Sequence, residues 1–159
     1  MQRRVQAGPR QRGITLIELL IALVIVGILT AVALPLYTRY QERSYAAQAM
    51  ADLGVCAQAL ERHYTTGFTY ANSTAAAVPP AAAPLATICP AASPPRGDTL
   101  FNITITAADA TTFTLRATPV AAGRADPVGM LEIDASGVRR WDRNDDNDFD
   151  DADEDNWDI

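Results

Sequence analysis

The sequence predicts an α+β fold: one long amino-terminal helix packed on a three- or four-stranded antiparallel sheet. Three observations predict it. The run from Ile14 to Leu36 is almost entirely Leu, Ile, Val and Ala. After it, apolar residues recur at three- and four-residue steps as far as Tyr64, the spacing of one helix face. Beyond residue 98 the pattern changes to short alternating stretches rich in Ile, Thr, Phe and Val, the signature of half-buried strands.

The first run would be about 35 Å long as a helix at about 1.5 Å per residue, enough to cross a bilayer. Thr15, Glu18, Gly27 and Thr30 are its milder interruptions. Arg3, Arg4, Arg10 and Arg12 precede it, and the positive-inside bias holds such a leader in the cytoplasm. A secretory signal peptide has a shorter core and a small-residue exit site. Here the run passes into a polar helical pattern with no Ala-x-Ala exit. A plain signal anchor accounts for span and orientation but leaves Glu18 unexplained. A carboxylate deep in a bilayer costs roughly 2.5 to 3.5 kcal/mol on insertion scales, so it needs a partner or a task.

Gly13 followed by ITLIELLIALVIVGILTAVALPLY resembles the type IV prepilin signature: a short basic leader, a Gly, then T-L-I-E-L and a long apolar run. The resemblance implies that a prepilin peptidase cuts after Gly13 on the cytoplasmic side and methylates the amino group of Ile14. Ile14 stands where the family usually has Phe. Glu18 becomes the fifth mature residue, and Pro35 matches the helix-kinking proline of the family. The family's Glu is held to pair with the terminal amine of a neighbouring subunit, which sets the stagger of incoming subunits. Further on, the order TLFNITI, TFTLRATPV and GMLEIDASGVRRW is similar to PilE-like pilins, so the resemblance covers most of the chain.

The chain divides accordingly into a leader, 1–13, a hydrophobic transmembrane or filament-core helix, 14–36, and a globular domain, 37–159. Within that domain, 37–65 is the amphipathic helix, with Ala46, Ala49, Met50, Leu53, Cys56, Ala57, Leu60 and Tyr64 on its core-facing side. His63, the one histidine, is assigned a solvated or capping role near the end of this helix. Residues 66–98 carry Pro79, Pro80, Pro84, Pro90, Pro94 and Pro95, which exclude helix or central strand and predict an irregular surface loop. The sheet occupies 99–141, as strands over 99–107, 111–120 and 128–141, the last folding into a hairpin around Asp134-Ala135-Ser136-Gly137. An acidic tail, 142–159, follows.

Charge limits the function classes. The 159 residues hold 13 basic side chains, all Arg, against 19 acidic ones, a balance of −6. Removing the leader takes away four Arg and moves the balance to −10, so no nucleic-acid partner is predicted. Cys56, on the core side of the helix, and Cys89, in the loop, predict a disulfide in an oxidising periplasm, with two free buried thiols as the alternative. Such a bridge departs from the commonest arrangement in pilins, which staples the carboxyl-terminal region.

From Asp142 to Asp158 the tail has ten acids and one base. Most charge runs of this kind are solvated and disordered. The spacing here also fits an oxygen-ligand loop for Ca²⁺. Asp142, Asn144 and Asp146 stand at positions 1, 3 and 5 of an EF-hand-type loop, and Asn147 replaces the usual Gly at position 6. Asp148 offers its main-chain carbonyl, Phe149 supplies the apolar position 8, Asp150 stands at 9 and Asp153 at 12. An Asp at position 12 is similar to dockerin loops. Trp141 and Trp157 bracket the segment.

These readings lead to a non-enzymatic structural subunit of a type IV pilus. It would sit in the inner membrane with its head in the periplasm, pass through prepilin peptidase and an assembly platform, and join a surface filament of like or mixed pilins. The alternative is a pseudopilin of a type II secretion system, which uses the same leader and helix. No nucleophile motif, phosphate loop or Cys/His metal set supports an enzyme.

Overall fold

A computed structural model describes residues 14–74 and 82–158. The leader with Gly13, and 75–81 of the Pro-rich loop, lie outside the described residues. The chain forms two units, one ending at Thr38 and one running from Arg39 to Ile159.

Helix α1, Leu16–Gly67, starts at Thr15, whose carbonyl accepts the N–H of Leu19 at 3.2 Å. In the first unit the apolar side chains are exposed all round, from Ile14 through Leu36. Pro35 sits inside the helix, and the Thr38 hydroxyl donates to its carbonyl at 3.0 Å. In the second unit the helix buries one face only: Ala46, Ala49, Met50, Leu53, Cys56, Ala59 and Leu60. The stripe alternates small residues, Ala46, Ala49 and Ala59, with the larger Met50, Leu53 and Leu60.

The sheet has five antiparallel strands in sequence order: β1, Ala92–Ser93; β2, Phe101–Ala108; β3, Phe113–Pro119; β4, Leu131–Asp134; and β5, Arg139–Trp141. Register places Ile103 beside Ala117, Ile105 beside Leu115, and Leu115 beside Ile133, so the inward faces form one apolar layer. With Phe101, Phe113 and Leu131 they share a single core with the α1 stripe. Full burial of each large side chain stabilises the fold by roughly 1.5 to 3 kcal/mol.

One more strand is present than the three or four expected, and the reason lies in the Pro-rich segment. Ala92 and Ser93 pair with Asn102 and Phe101 at the sheet edge, between Pro90 and Pro94. Proline cannot donate to a ladder, so it confines such a strand to an edge and keeps it short. The same segment is tied down elsewhere. Cys89 is bonded to Cys56 of α1, with Cα atoms 5.3 Å apart. Closing a loop of this size contributes about 3 to 4 kcal/mol in the chain-entropy picture. The Ser93 hydroxyl, fully buried, donates to Asp52 on α1 at 2.6 Å.

At the end of α1, Tyr64 stacks on Tyr70, and Tyr70 meets the edge of Phe113. Tyr70 donates its hydroxyl proton to Glu61 at 3.0 Å, and burial, then this bond, push its pKa up to about 12. On the outward sheet face, register aligns Arg116, Glu132 and Arg140 across three strands. Glu132 is 5% exposed, and both its oxygens are satisfied, one by Arg116 and one by Arg140, each at 2.8 Å.

Two turns generate predictions. Asp109 follows β2, and its carboxylate accepts the N–H groups of Thr111 at 2.7 Å and Thr112 at 2.8 Å. Those bonds hold its pKa below the usual 3.8. A depressed folded pKa means stabilisation that is in place above pH 3.8 and is lost as pH falls below it. Asp109→Asn is therefore expected to lower the melting temperature at pH 7, with a smaller gap to wild type at a pH below 3.8. Equal gaps at both pH values would contradict this.

Gly129, with φ +76 and ψ −178, occupies a region open essentially to glycine alone. A Cβ there would overlap the carbonyl oxygen of Asp142. Gly129→Ala is expected to destabilise by about 2 to 4 kcal/mol in thermal melts, because backbone must move on both sides.

Candidate functional site

Two segments carry the candidate residues. At the start of α1, the Thr15 hydroxyl oxygen accepts the N–H of Glu18 at 3.3 Å. Thr-x-x-Glu is the sequence of a capping box, and an acid in the first turn also complements the helix dipole. Glu18 thus has a local role as well as the one inferred from its setting. Its side chain is exposed, among Ile14, Ile17, Leu19 and Ile21, which are exposed too. Among the described residues this is the one helix long and apolar enough to cross a membrane. Ile14 is described; Gly13, its partner in the expected cleavage, is not.

The second segment follows β5. Trp141 fixes where it begins: its N–H donates to the Glu154 carbonyl at 2.8 Å, and its indole donates to Val128 at 2.7 Å. The Asp142 N–H donates to the Met130 carbonyl at 2.9 Å. Trp157 fixes the far end, with its indole N–H on the Arg140 carbonyl at 2.9 Å. Arg143 stacks over Trp141, and Arg139 over Trp157. Both tryptophans therefore hold the loop to the sheet edge, and Phe149 returns to the outward face under Arg116.

Between them the backbone curls through a series of side-chain-capped turns. Asn144 accepts the N–H of Asp146 at 3.1 Å, Asp146 that of Asp148 at 3.2 Å, and Asp148 that of Asp150 at 3.1 Å. Asp145 and Asn147 adopt positive φ, 59° and 71°, a region that Asn and Asp enter more readily than other side chains. The curl brings the carboxylates of Asp142 and Asp146 towards one point.

One oxygen each from Asp142, Asp146 and Glu154 lie within 4.8 Å of one another. Asp142 is 0% exposed and Glu154 1%, while Asp146 is exposed. Asp142 Oδ2 accepts the N–H of Asn147 at 3.1 Å, whereas its buried Oδ1 has no hydrogen-bond partner among the described residues. Glu154 accepts the N–H groups of Arg143 and Asp151 at 3.2 and 3.4 Å. Burial, chiefly, pushes the Asp142 carboxyl above its usual range, and the nearby Asp146 charge adds to this against the pull of the Asn147, Asp145 and Asp146 N–H groups. Burial likewise raises Glu154, helped by the charges of Asp142 and Asp151.

Of the six tail residues with ligand spacing, the structure brings Asp142 and Asp146 together. Asn144 stands beside them, its amide donating to Asp146 and Asp151, each at 2.8 Å. Asp150 and Asp153 are exposed and their carboxylates do not join that group; Asp148, expected to offer its main-chain carbonyl, has an exposed side chain. Glu154, one residue past the twelfth position, takes the inward place. It is the tail's one glutamate, and loops of this type end on Glu, so composition carried a signal that strict spacing overrode.

Comparison with known proteins places the chain. Residues 8–34 match the prokaryotic N-terminal methylation motif. The type IV major pilin protein PilA of Myxococcus xanthus (strain DK1622) is 48% identical over 46 residues, 29% of this chain and 21% of that protein. The type IV major fimbrial protein FimA of Dichelobacter nodosus is 45% identical over 51 residues, 32% of this chain and 33% of that protein. The chain thus spans only a fifth to a third of the length of these relatives. The crystal structure of the Neisseria meningitidis non-core minor pilin PilV superimposes with a TM-score of 0.47 at 17% identity, covering 63% of this chain and 85% of that one. The match that spans most of the head is to a pilin family, a class of structural subunits rather than enzymes. Residues 35–127, more than half of the sequence, fit the family described as type IV minor pilin ComP, DNA uptake sequence receptor, and the chain belongs to that family.

Proposed function

We propose that this protein is a structural subunit of a type IV pilus. It is inserted in the inner membrane through residues 14–36, processed between Gly13 and Ile14 by prepilin peptidase, methylated at Ile14, and polymerised through α1 into a surface filament. The observation that carries this reading is the unburied amino-terminal half of α1. A soluble monomer rarely leaves so long an apolar surface uncovered. Lipid covers it before assembly, and the equivalent helices of neighbouring subunits cover it afterwards.

Glu18 fits this course. In the bilayer its carboxylate is costly, and a terminal amine on an adjacent subunit offsets the cost by pairing. Extraction from the membrane into the filament is then downhill for both groups.

The head's family favours a minor position in a pilus over the pseudopilin of a type II secretion system, which uses the same leader and helix. That family's description names a DNA uptake sequence receptor. Phosphate binding needs available cations; Arg116 and Arg140 are engaged by Glu132 and Arg124 by Asp98, while Arg39, Arg43, Arg62 and Arg96 are exposed. On the charge balance of −10 after the leader, the role proposed is assembly rather than nucleic-acid binding.

Two substitutions test it. Glu18→Ala removes both the charge and the capping-box acid, while Glu18→Gln keeps a capping-box residue and removes the charge alone. Both variants are expected to insert and be processed normally, and both to be depleted from sheared filaments by about 10-fold or more, on the scale of a buried charge left unpaired. Normal incorporation of Glu18→Ala would sink the assembly role. Normal incorporation of Glu18→Gln alone would reduce Glu18 to a helix-capping residue.

A further inference from the structure

We propose that the carboxyl-terminal loop is a calcium site built from the carboxylates of Asp142, Asp146 and Glu154. The three converge to within 4.8 Å although they come from both ends of the loop. Convergence of acids alone is common on surfaces, but two of these three are buried: Asp142 at 0% exposure and Glu154 at 1%. Buried carboxylates are normally paired with a cation or satisfied by donors on every oxygen. Asp142 Oδ1 is neither: it is enclosed and no described group donates to it. The Asp142 N–H donates to the Met130 carbonyl and Gly129 lies against the Asp142 carbonyl, so the backbone that carries this oxygen is fixed at the sheet edge.

The protein's own cations do not fill the role. Arg143 is the single base in the tail. Its guanidinium lies over Trp141 and donates to Asn156 at 3.0 Å and to the Asp158 carbonyl at 2.6 Å. No ion pair joins it to the three carboxylates among the described residues. Arg116 and Arg140 are held by Glu132 on the sheet face. The cluster is an all-oxygen group of carboxylates with no positive side chain paired to it among the described residues.

Donor chemistry selects the ion. Oxygen donors with no imidazole or thiolate suit hard cations rather than zinc or copper. The one histidine lies on α1, and both cysteines are in the disulfide. A loop that is partly open on the Asp146 side and rich in main-chain carbonyls suits the flexible six- to eightfold coordination of Ca²⁺, rather than the strict octahedron of Mg²⁺. The ion would tie Asp142, just after β5, to Glu154, twelve residues on, and so lock the last stretch of the chain against the sheet. This assignment rests on the head alone and stands independently of filament assembly.

The test uses the full chain in detergent, stripped with a chelator and titrated with CaCl₂ against MgCl₂ at matched ionic strength. Calorimetry reads stoichiometry, and the fluorescence of Trp141 and Trp157, at the loop ends, reports closure. The expected result is saturable binding of a single Ca²⁺ per chain, a rise in melting temperature with calcium, and no equivalent effect of magnesium. Asp142→Asn alters a buried group. Asp146→Asn alters an exposed one, so it separates loss of a ligand from loss of the fold. Asp146→Asn is expected to weaken calcium binding by about 10-fold or more, and Asp155→Asn, outside the cluster, to leave it unchanged. Absence of saturable calcium binding would overturn the assignment. So would equal weakening by Asp146→Asn and Asp155→Asn, which would mean diffuse attraction to an acidic surface.

Discussion

Everything built on this head depends on one packing interaction, the seating of the Ala46-to-Leu60 face of α1 against the inward side chains of β2, β3 and β4. Neither surface is stable alone. The helix stripe is narrow, with three alanines among its seven residues, and the sheet presents Phe101, Ile103, Ile105, Phe113, Leu115, Leu131 and Ile133 on a single face. Once joined, the two layers fix the positions from which the other devices work. Cys56 reaches Cys89, Asp52 reaches Ser93, and Tyr70 closes over Phe113. The sheet edge at β5 then offers Trp141 as the anchor for the acidic loop. Without that seating the loop has no frame, and Asp142 has no reason to be buried.

The same helix does two kinds of physical work. Its carboxyl-terminal half has one apolar face and finds its partner within the chain. Its amino-terminal half is apolar all round and finds none, which is the pattern of a helix made for a membrane or for a bundle of its own kind. Glu18 marks the change of environment between those two fates. Its capping bond to Thr15 is satisfied in either, whereas its charge is costly in lipid unless a partner arrives. The geometry therefore separates folding, which the head completes alone, from assembly, which needs other chains.

Much of this was legible in the residue order, wherever the signal was local and periodic. The apolar run of α1, its later stripe, the alternation in Phe101/Ile103/Ile105, and the Asp134–Gly137 turn all follow from spacing alone. Features set by tertiary pairing were not legible. Ala92 and Ser93 have no strand propensity of note and sit between prolines; they extend only because β2 presents an unpaired edge. The Arg116–Glu132–Arg140 ladder exists only in the register of three strands, and Gly129 is required only because Asp142 returns beside it. In the tail, spacing chose Asp142 and Asp146, whose carboxylates converge, but chose Asp153 where the structure turns Glu154 inward. That choice turns on a main-chain bond from Trp141 to the Glu154 carbonyl, which no local pattern encodes.

Whether α1 serves as more than an anchor turns on processing of this chain and its entry into a filament. Mass spectrometry of filaments sheared from the producing cells reads both at once. The chain is expected to be present, with its first peptide beginning at a methylated Ile14. A chain that is absent from filaments and retained in the membrane with its leader intact from Met1 would contradict this, and would leave α1 as an ordinary membrane anchor.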